Sequence, residues 1–113
     1  MQRKTDFEHD ADFRLAVSEL LEELLDSVDD LEDDELDPRL TPGNLSVTFE
    51  DESVILLSQQ TPTHELWLSA NYTAWHFLRT GGSWVERDSN EPLLDVLSKL
   101  FSEKLGETVS FSS

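Results

Sequence analysis

Cysteine is absent from the 113-residue chain, and glycine and proline each occur only four times. Without cysteine, disulfides, thiolate metal sites and cysteine nucleophiles are excluded. A glycine-rich phosphate loop is also missing. The length is sufficient for one domain, residues 1–113, with a hydrophobic core of its own.

Long apolar runs are missing too. No stretch approaches the roughly 18 apolar residues that a membrane span needs. The first residues, MQRKTDFEHD, lack the apolar segment of a secretory signal and are too acidic for a typical organelle transit peptide. We therefore expect a protein of the bacterial cytoplasm, or a mature organelle protein, without membrane contact.

Basic residues are scarce, with 8 Lys and Arg against 25 Asp and Glu and a net charge of −17. This balance argues against nucleic acid as a partner, because phosphates need Lys and Arg. Residues 1–37 hold 15 acids and 3 bases, a net charge of −12, whereas residues 38–113 hold 10 acids and 5 bases, a net charge of −5. The concentration in one segment favours a local purpose over a general acidic adaptation of the surface.

The acidic segment has the periodicity of an amphipathic helix from about Asp10 to Asp30. Apolar residues recur at steps of three or four: Phe13, Val17, Leu20, Leu24, Val28 and Leu31. Acids cluster on roughly the opposite side: Glu19, Glu22, Glu23, Asp26, Asp29, Asp30 and Asp33. Acids near a helix C-terminus oppose the helix dipole at about 0.3–1 kcal/mol each. A feature that costs stability is a candidate for function.

After Pro38 the apolar period changes to two, which predicts strands in NLSVTFE, SVILLSQ, HELWLSA, TAWHFL and SWVER. A sixth, short strand is possible around Leu36–Leu40, and Gly81-Gly82 predicts a tight turn. Helical periodicity returns in PLLDVLSKLFSEKLG, with Asn90 as the expected N-cap and Gly106 as the C-terminal glycine. The order predicts an α+β fold, a two-layer sandwich with both helices on one face of a five- to six-stranded antiparallel sheet.

The residues offer little for catalysis. The three histidines lie in unrelated contexts, and HELWL lacks the second histidine of a zinc-protease helix. DDLEDDELDPRL lacks the glycine at the sixth position of an EF-hand loop. Three interpretations of the acidic run remain open: a solvated face, a weak site for hard cations, or a docking surface for a basic protein. A discrete buried metal centre is not predicted.

Trp67 shares strand parity with Glu65 and Ser69, opposite to Leu66 and Leu68. The largest apolar side chain of this strand is therefore predicted to point to the polar face of the sheet. Such a tryptophan either anchors an interface or merely covers neighbouring strands.

The stretch LSVTFEDESVILLSQQTPTHELWLSA resembles the frataxin family, most closely its bacterial, CyaY-like form. The resemblance rests on a hydrophobic hairpin followed by Gln60, Pro62, His64 and the pair Trp67-Leu68. WHF, Trp84, the terminal helix and GETVSF follow at similar spacing, so the resemblance covers nearly the whole chain.

This resemblance implies a small, non-enzymatic, iron-binding protein, a monomer without metal. It implies docking on the cysteine desulfurase and scaffold of iron–sulfur cluster assembly, as a regulator of the desulfurase or as an iron donor. It also implies an acidic ridge, the name used below for Glu22, Glu23, Asp26, Asp29, Asp30, Asp33, Glu35 and Asp37. Iron, as Fe²⁺ or Fe³⁺, would bind weakly at Glu22, Glu23, Asp26, Asp29, Asp30 and Asp33. Partner contacts would use Glu22, Asp26, Asp29, Asp33, Glu35, Asp37, Gln60 and Trp67.

Some positions depart from the family pattern. Ser58 and Gln59 stand where the family usually has Asn and a basic residue, Glu65 replaces a usual Gln, and Arg39 replaces a frequent acid. We expect sheet-side contacts with the assembly complex to be weaker or differently arranged. Two other functions stay open: a ferroxidase-like iron chaperone or donor, although Glu-x-x-His pairs of the di-iron type are missing, and an acidic interaction domain without a metal role.

Overall fold

Six antiparallel strands and two helices make up the computed structural model, which describes residues 5–31 and 34–111. The elements are α1 (Asp10–Asp29), β1 (Asp37–Thr41), β2 (Asn44–Thr48), β3 (Val54–Gln60), a 3-10 turn (Thr61–Thr63), β4 (Glu65–Ala70), β5 (Thr73–Thr80), β6 (Ser83–Glu86) and α2 (Leu93–Leu105). Each strand pairs with the next along the chain. The predicted α+β sandwich with a meandering sheet is confirmed, in its six-stranded form.

Both helices pack on one face of the sheet, because each has a single apolar stripe to bury. The core residues of the sheet alternate with exposed ones, as a half-buried strand requires. From the sheet the core contains Leu45, Val47, Ile55, Leu57, Leu66, Leu68, Ala70 and Phe77. From the helices it contains Phe13, Val17, Leu21, Leu24, Val28, Leu93, Val96, Leu97, Leu100 and Phe101. Within the described residues, neither helix is apolar enough over sufficient length to cross a membrane.

The buried stripe of α1 runs through Leu21, which is 0% exposed, rather than through Leu20 as predicted. Leu20 packs against the core only partly buried. Steps of four, four, three and four residues connect Phe13, Val17, Leu21, Leu24 and Val28. Because Leu20 and Leu21 are both apolar, the sequence pattern allows either residue to stand at the centre of the buried stripe. Packing of the helix against the sheet selects Leu21.

The tight turns of the sheet place residues in the left-handed region. Gly81 and Gly82 have φ of +60° and +81°, which confirms the predicted turn between β5 and β6. The turn between β4 and β5 uses Asn71 and Tyr72, with φ of +53° and +63°. Gly106 ends α2 in the left-handed conformation, as predicted.

The prediction of Asn90 as the N-cap of α2 is wrong, because Pro92 occupies that position and the helix begins at Leu93. Asn90 instead adopts φ +69° in the preceding turn, and its backbone N–H donates to the carbonyl of Glu86. The buried carboxylate of Glu86 accepts the N–H groups of His76, Asp88 and Ser89. Burial raises the pKa of Glu86, but these backbone donors outweigh it and hold the pKa below its usual value.

The segments flanking the two helices are tied to the core by side-chain hydrogen bonds. The Asp6 carboxylate accepts the backbone N–H groups of Gly81 and Gly82 at 2.8 and 2.9 Å. At the other end, Ser98 Oγ accepts the N–H of Phe111 at 2.8 Å, and Phe111 is buried. Asp6 thus holds the segment before α1 on the turn between β5 and β6, and Phe111 holds the segment after α2 on that helix.

We expect Leu21→Ala to lower the free energy of unfolding by about 2–5 kcal/mol, because it leaves a cavity under α1. Leu20→Ala, the neighbouring control, should cost less than about half as much, since its side chain is only partly buried. Urea denaturation followed by circular dichroism measures both. Equal losses would contradict the assignment of Leu21 to the centre of the stripe.

Candidate functional site

The acidic ridge lies on the outer side of α1 and continues to the first strand. Within the described residues all of its members are exposed: Glu22, Glu23, Asp26, Asp29, Asp30, Glu35 and Asp37. Asp33, the remaining predicted member, lies outside the described residues. The apolar stripe faces the sheet, so the helical period turns these carboxylates away from the core.

The helical part of the acidic ridge is not neutralised by cations of the described chain. Within residues 5–31 and 34–111, the structure gives no ion pair to Glu22, Glu23, Asp26, Asp29 or Asp30. On β1, Asp37 Oδ2 does bind Arg39 Nε at 3.2 Å, with both side chains more than half exposed. An exposed pair of this kind contributes little stability, and high salt weakens it further.

The C-terminal end of α1 has no basic residue in its last turn. The C-cap residue Asp30 donates its backbone N–H to the carbonyl of Asp26 at 3.0 Å, and Leu31 donates to the carbonyl of Val28 at 3.1 Å. Asp26 and Asp29 thus stand at the negative end of the helix dipole, where acids are unfavourable. The first turn, by contrast, contains Asp10 and Asp12, where the dipole favours acids.

The chemistry of the ridge suits hard cations, because carboxylate oxygens are the ligands that such ions take. Neighbours at i, i+3 and i+4, such as Glu22, Asp26 and Asp29, lie side by side on the helix surface. However, no group of three or more His, Cys, Asp or Glu among the described residues is arranged to hold a metal ion. The residues therefore fit an exposed ion held by one or two carboxylates and water, rather than a closed coordination site.

Among residues 5–31 and 34–111, no helix covers the opposite face of the sheet. Cross-strand pairing puts Ser58, Trp67 and His76 in one row on this open face, next to the row of Gln60 and Glu65. Trp67 is 38% exposed, which confirms its predicted orientation. Two further apolar side chains of this face, Val54 and Leu56, are similarly exposed.

Trp67 and Gln60 both make contacts within the open face. The Trp67 ring lies against His76, with 4.6 Å between centroids. The half-buried Gln60 donates its amide to Ser58 Oγ at 3.3 Å. Trp67 therefore covers a neighbouring strand and keeps part of its ring accessible, while its role as an interface anchor stays a prediction.

The helical part of the ridge and Trp67 lie on opposite layers of the molecule. Asp37, on the edge strand β1, shares the open face with Thr48 and Val54 through the strand register. The ridge thus passes from the helical layer round this edge. Strand β4 is the third neighbour of β1, about 14 Å away at ordinary strand spacing. A single partner surface can therefore contact both the helical part of the ridge and Trp67 only by reaching round the β1 edge.

Glu65 is a buried residue that the sequence did not predict as part of the site, with 2% of its surface exposed. Its Oε1 accepts Trp67 Nε1–H at 3.0 Å and Thr63 Oγ1–H at 3.2 Å. Its Oε2 lies 3.4 Å from the Arg87 guanidinium. The sequence did contain a signal for this contact. Glu65 and Trp67 are two positions apart in a strand, which puts both side chains on one face of the sheet.

Comparisons with known proteins agree with this architecture. A family model described as a frataxin-like domain matches residues 6–107. The frataxin of Psychromonas ingrahamii superimposes with a TM-score of 0.86 at 22% sequence identity, over 93% of this chain and 99% of that one. Trimeric frataxin of the yeast Saccharomyces cerevisiae with its full-length N-terminus superimposes with a TM-score of 0.71 at 21% identity, over 80% and 79%. The yeast protein complexed with ferrous iron gives 0.71 at 22% identity, over 80% and 86%.

We expect Asp29→Lys to raise the free energy of unfolding by about 0.3–1 kcal/mol, because it puts a cation in the last turn of α1. Asp12→Lys, with the same change in net charge, should lower it by a similar amount, because Asp12 stands in the first turn. Thermal unfolding at low ionic strength measures both. Shifts of the same sign would mean that the ridge imposes no cost at this helix end.

Proposed function

The chain belongs to the family of frataxin-like domains, which implies an iron-related role, and we propose that it is a non-enzymatic accessory protein of iron–sulfur cluster assembly. In this proposal the acidic ridge docks on a basic surface of the cysteine desulfurase. The open sheet face contacts the same complex, which includes the scaffold protein. Such a protein regulates the desulfurase in the cytoplasm of its bacterial host.

The observation that carries the proposal is the uncompensated negative charge on the ordered helix α1. Exposed carboxylates that are in no ion pair with other described residues produce a field that attracts a basic partner before contact. The position of Asp26 and Asp29 at the unfavourable end of the helix dipole supports a functional reason for them. Because the attraction acts through water, it must weaken as salt is added.

Trp67 supports a short-range contact in addition to this steering. Partly exposed tryptophans on flat surfaces are common anchors of interfaces. Val54 and Leu56 extend the apolar part of the same face, and Gln60 adds a polar side chain in the row next to that of Trp67. These side chains lie on the layer opposite to α1, so the assembly complex would surround the β1 edge or contact the two layers through different subunits.

Iron enters the proposal as a weakly held cation on the acidic ridge. Glu22, Glu23, Asp26, Asp29 and Asp30 supply exposed oxygens, and Asp33 is proposed with them. An ion held there removes part of the negative charge that attracts the partner. Iron level and docking are therefore coupled, with bound iron weakening long-range attraction.

We expect the double variant Asp26→Lys/Asp29→Lys to weaken binding to the desulfurase by about tenfold or more at low salt, because it inverts the centre of the ridge. Glu103→Lys/Glu107→Lys changes the net charge equally at exposed positions on and after α2, and should change affinity by less than about threefold. Calorimetry at low and high sodium chloride measures both, and the difference should shrink with salt. Equal losses in the two double variants would reject docking by the ridge.

We expect ferrous iron, added without oxygen, to broaden the amide NMR signals of α1 near Asp26 selectively, because the ion is paramagnetic and bound close by. The Asp26→Lys/Asp29→Lys protein is the control and should lose this broadening. Unaffected wild-type signals would favour an acidic interaction domain without a metal role. Rapid oxygen consumption when iron is added in air would favour the ferroxidase-like alternative.

A further inference from the structure

Glu65 is a buried, charged residue on the open face of the sheet. It is not a member of the acidic ridge, so docking by the ridge gives it no role. Two charged residues among those described are buried, Glu65 and Glu86. Glu86 is accounted for by the backbone N–H groups of its turn. Glu65 instead binds three side chains, Trp67, Thr63 and Arg87, on the face proposed for partner contact.

The local fold explains why the carboxylate is tolerated there. Burial of a carboxylate is unfavourable unless it is paired and hydrogen-bonded. Arg87, directly after β6, is held beside β5 because its backbone N–H donates to the His76 carbonyl at 2.8 Å. From there the guanidinium reaches Glu65 Oε2 at 3.4 Å. Both oxygens of Glu65 thus have partners, and the network is complete.

The network decides what Trp67 offers to a partner. Its indole N–H donates to Glu65 Oε1 at 3.0 Å, and one side of its ring lies against His76. The indole has a single donor and no acceptor. The exposed part of Trp67 therefore presents carbon atoms and the π-surface of the ring.

We propose that Glu65 is a positioning residue that locks the indole of Trp67, so that the partner contacts Trp67 through an aliphatic or guanidinium group and not through a hydrogen-bond acceptor. The second half of this inference rests on the proposed function, because it needs the docking of the sheet face. Without the carboxylate, the indole N–H is released and can donate to a carbonyl of another protein. Glu65 thus selects the chemistry of the contact.

The first experiment follows the indole N–H signal of Trp67 by NMR and needs no partner. Glu65→Ala should speed its exchange with water by about tenfold or more and shift its resonance, because the acceptor is lost. Glu65→Gln retains an acceptor oxygen and should give an intermediate result. Ser69→Ala, on the same face two residues beyond Trp67, is the control and should leave the signal unchanged.

The indole signals of Trp75 and Trp84, which pack against the core, report in the same spectra whether each variant is folded. If Glu65→Ala does not fold, Glu65→Gln decides the question by its shift and exchange rate. A Trp67 signal with wild-type shift and exchange in a folded Glu65 variant would overturn the positioning role.

The second experiment compares Trp67→Phe with Trp67→Ala in binding to the desulfurase–scaffold complex. Phe keeps a ring but has no N–H, so it should retain affinity within about threefold, whereas Ala should lose about tenfold or more. An equal loss in both variants would show that the partner uses the N–H, and would overturn the proposed contact. If the wild-type chain does not bind the complex, the proposed function fails and the contact with it, while the NMR experiment still decides the role of Glu65.

Discussion

Burial of the apolar stripe of α1 against the sheet is the interaction on which the acidic ridge depends. Phe13, Val17, Leu21, Leu24 and Val28 have less than a tenth of their surface exposed, so the helix cannot rotate without exposing them to water. Because the stripe is fixed, the opposite carboxylates are fixed outward as a group. Hydrophobic burial thus maintains an arrangement of like charges that mutual repulsion alone would disperse.

In the proposed function, the placement of charge separates two roles within one small molecule. The helical layer would supply long-range attraction, which depends on the number of charges and on salt. The open sheet face would supply short-range contacts of Trp67 and its neighbours, which depend on shape and desolvation. The edge strand β1, with Asp37 turned to the open face, connects the two surfaces.

The open face of the sheet shows how a buried carboxylate is accommodated. A glutamate at position 65 brings a negative charge beside Trp67, and Arg87 balances it at 3.4 Å. Since a buried charge without its partner is strongly unfavourable, Glu65 depends on Arg87, whose own side chain is 35% exposed and also lies 3.6 Å from Asp88. A change at one of them alters the surroundings of Trp67, which lies between the interior and the proposed partner.

The sequence by itself determined the two helices, the alternating strands, the outward direction of the acidic ridge and the face on which Trp67 lies. These features follow from periods of 3.6 and 2, which the backbone imposes locally. Tertiary structure decided the choice of Leu21 over Leu20, the start of α2 at Leu93 and the burial of Glu65 in contact with Trp67 and Arg87. Residues 65 and 87 are 22 positions apart, and only the pairing of β4, β5 and β6 brings them together. No local period carries that information, because it depends on strand register and on which groups compete for the same space.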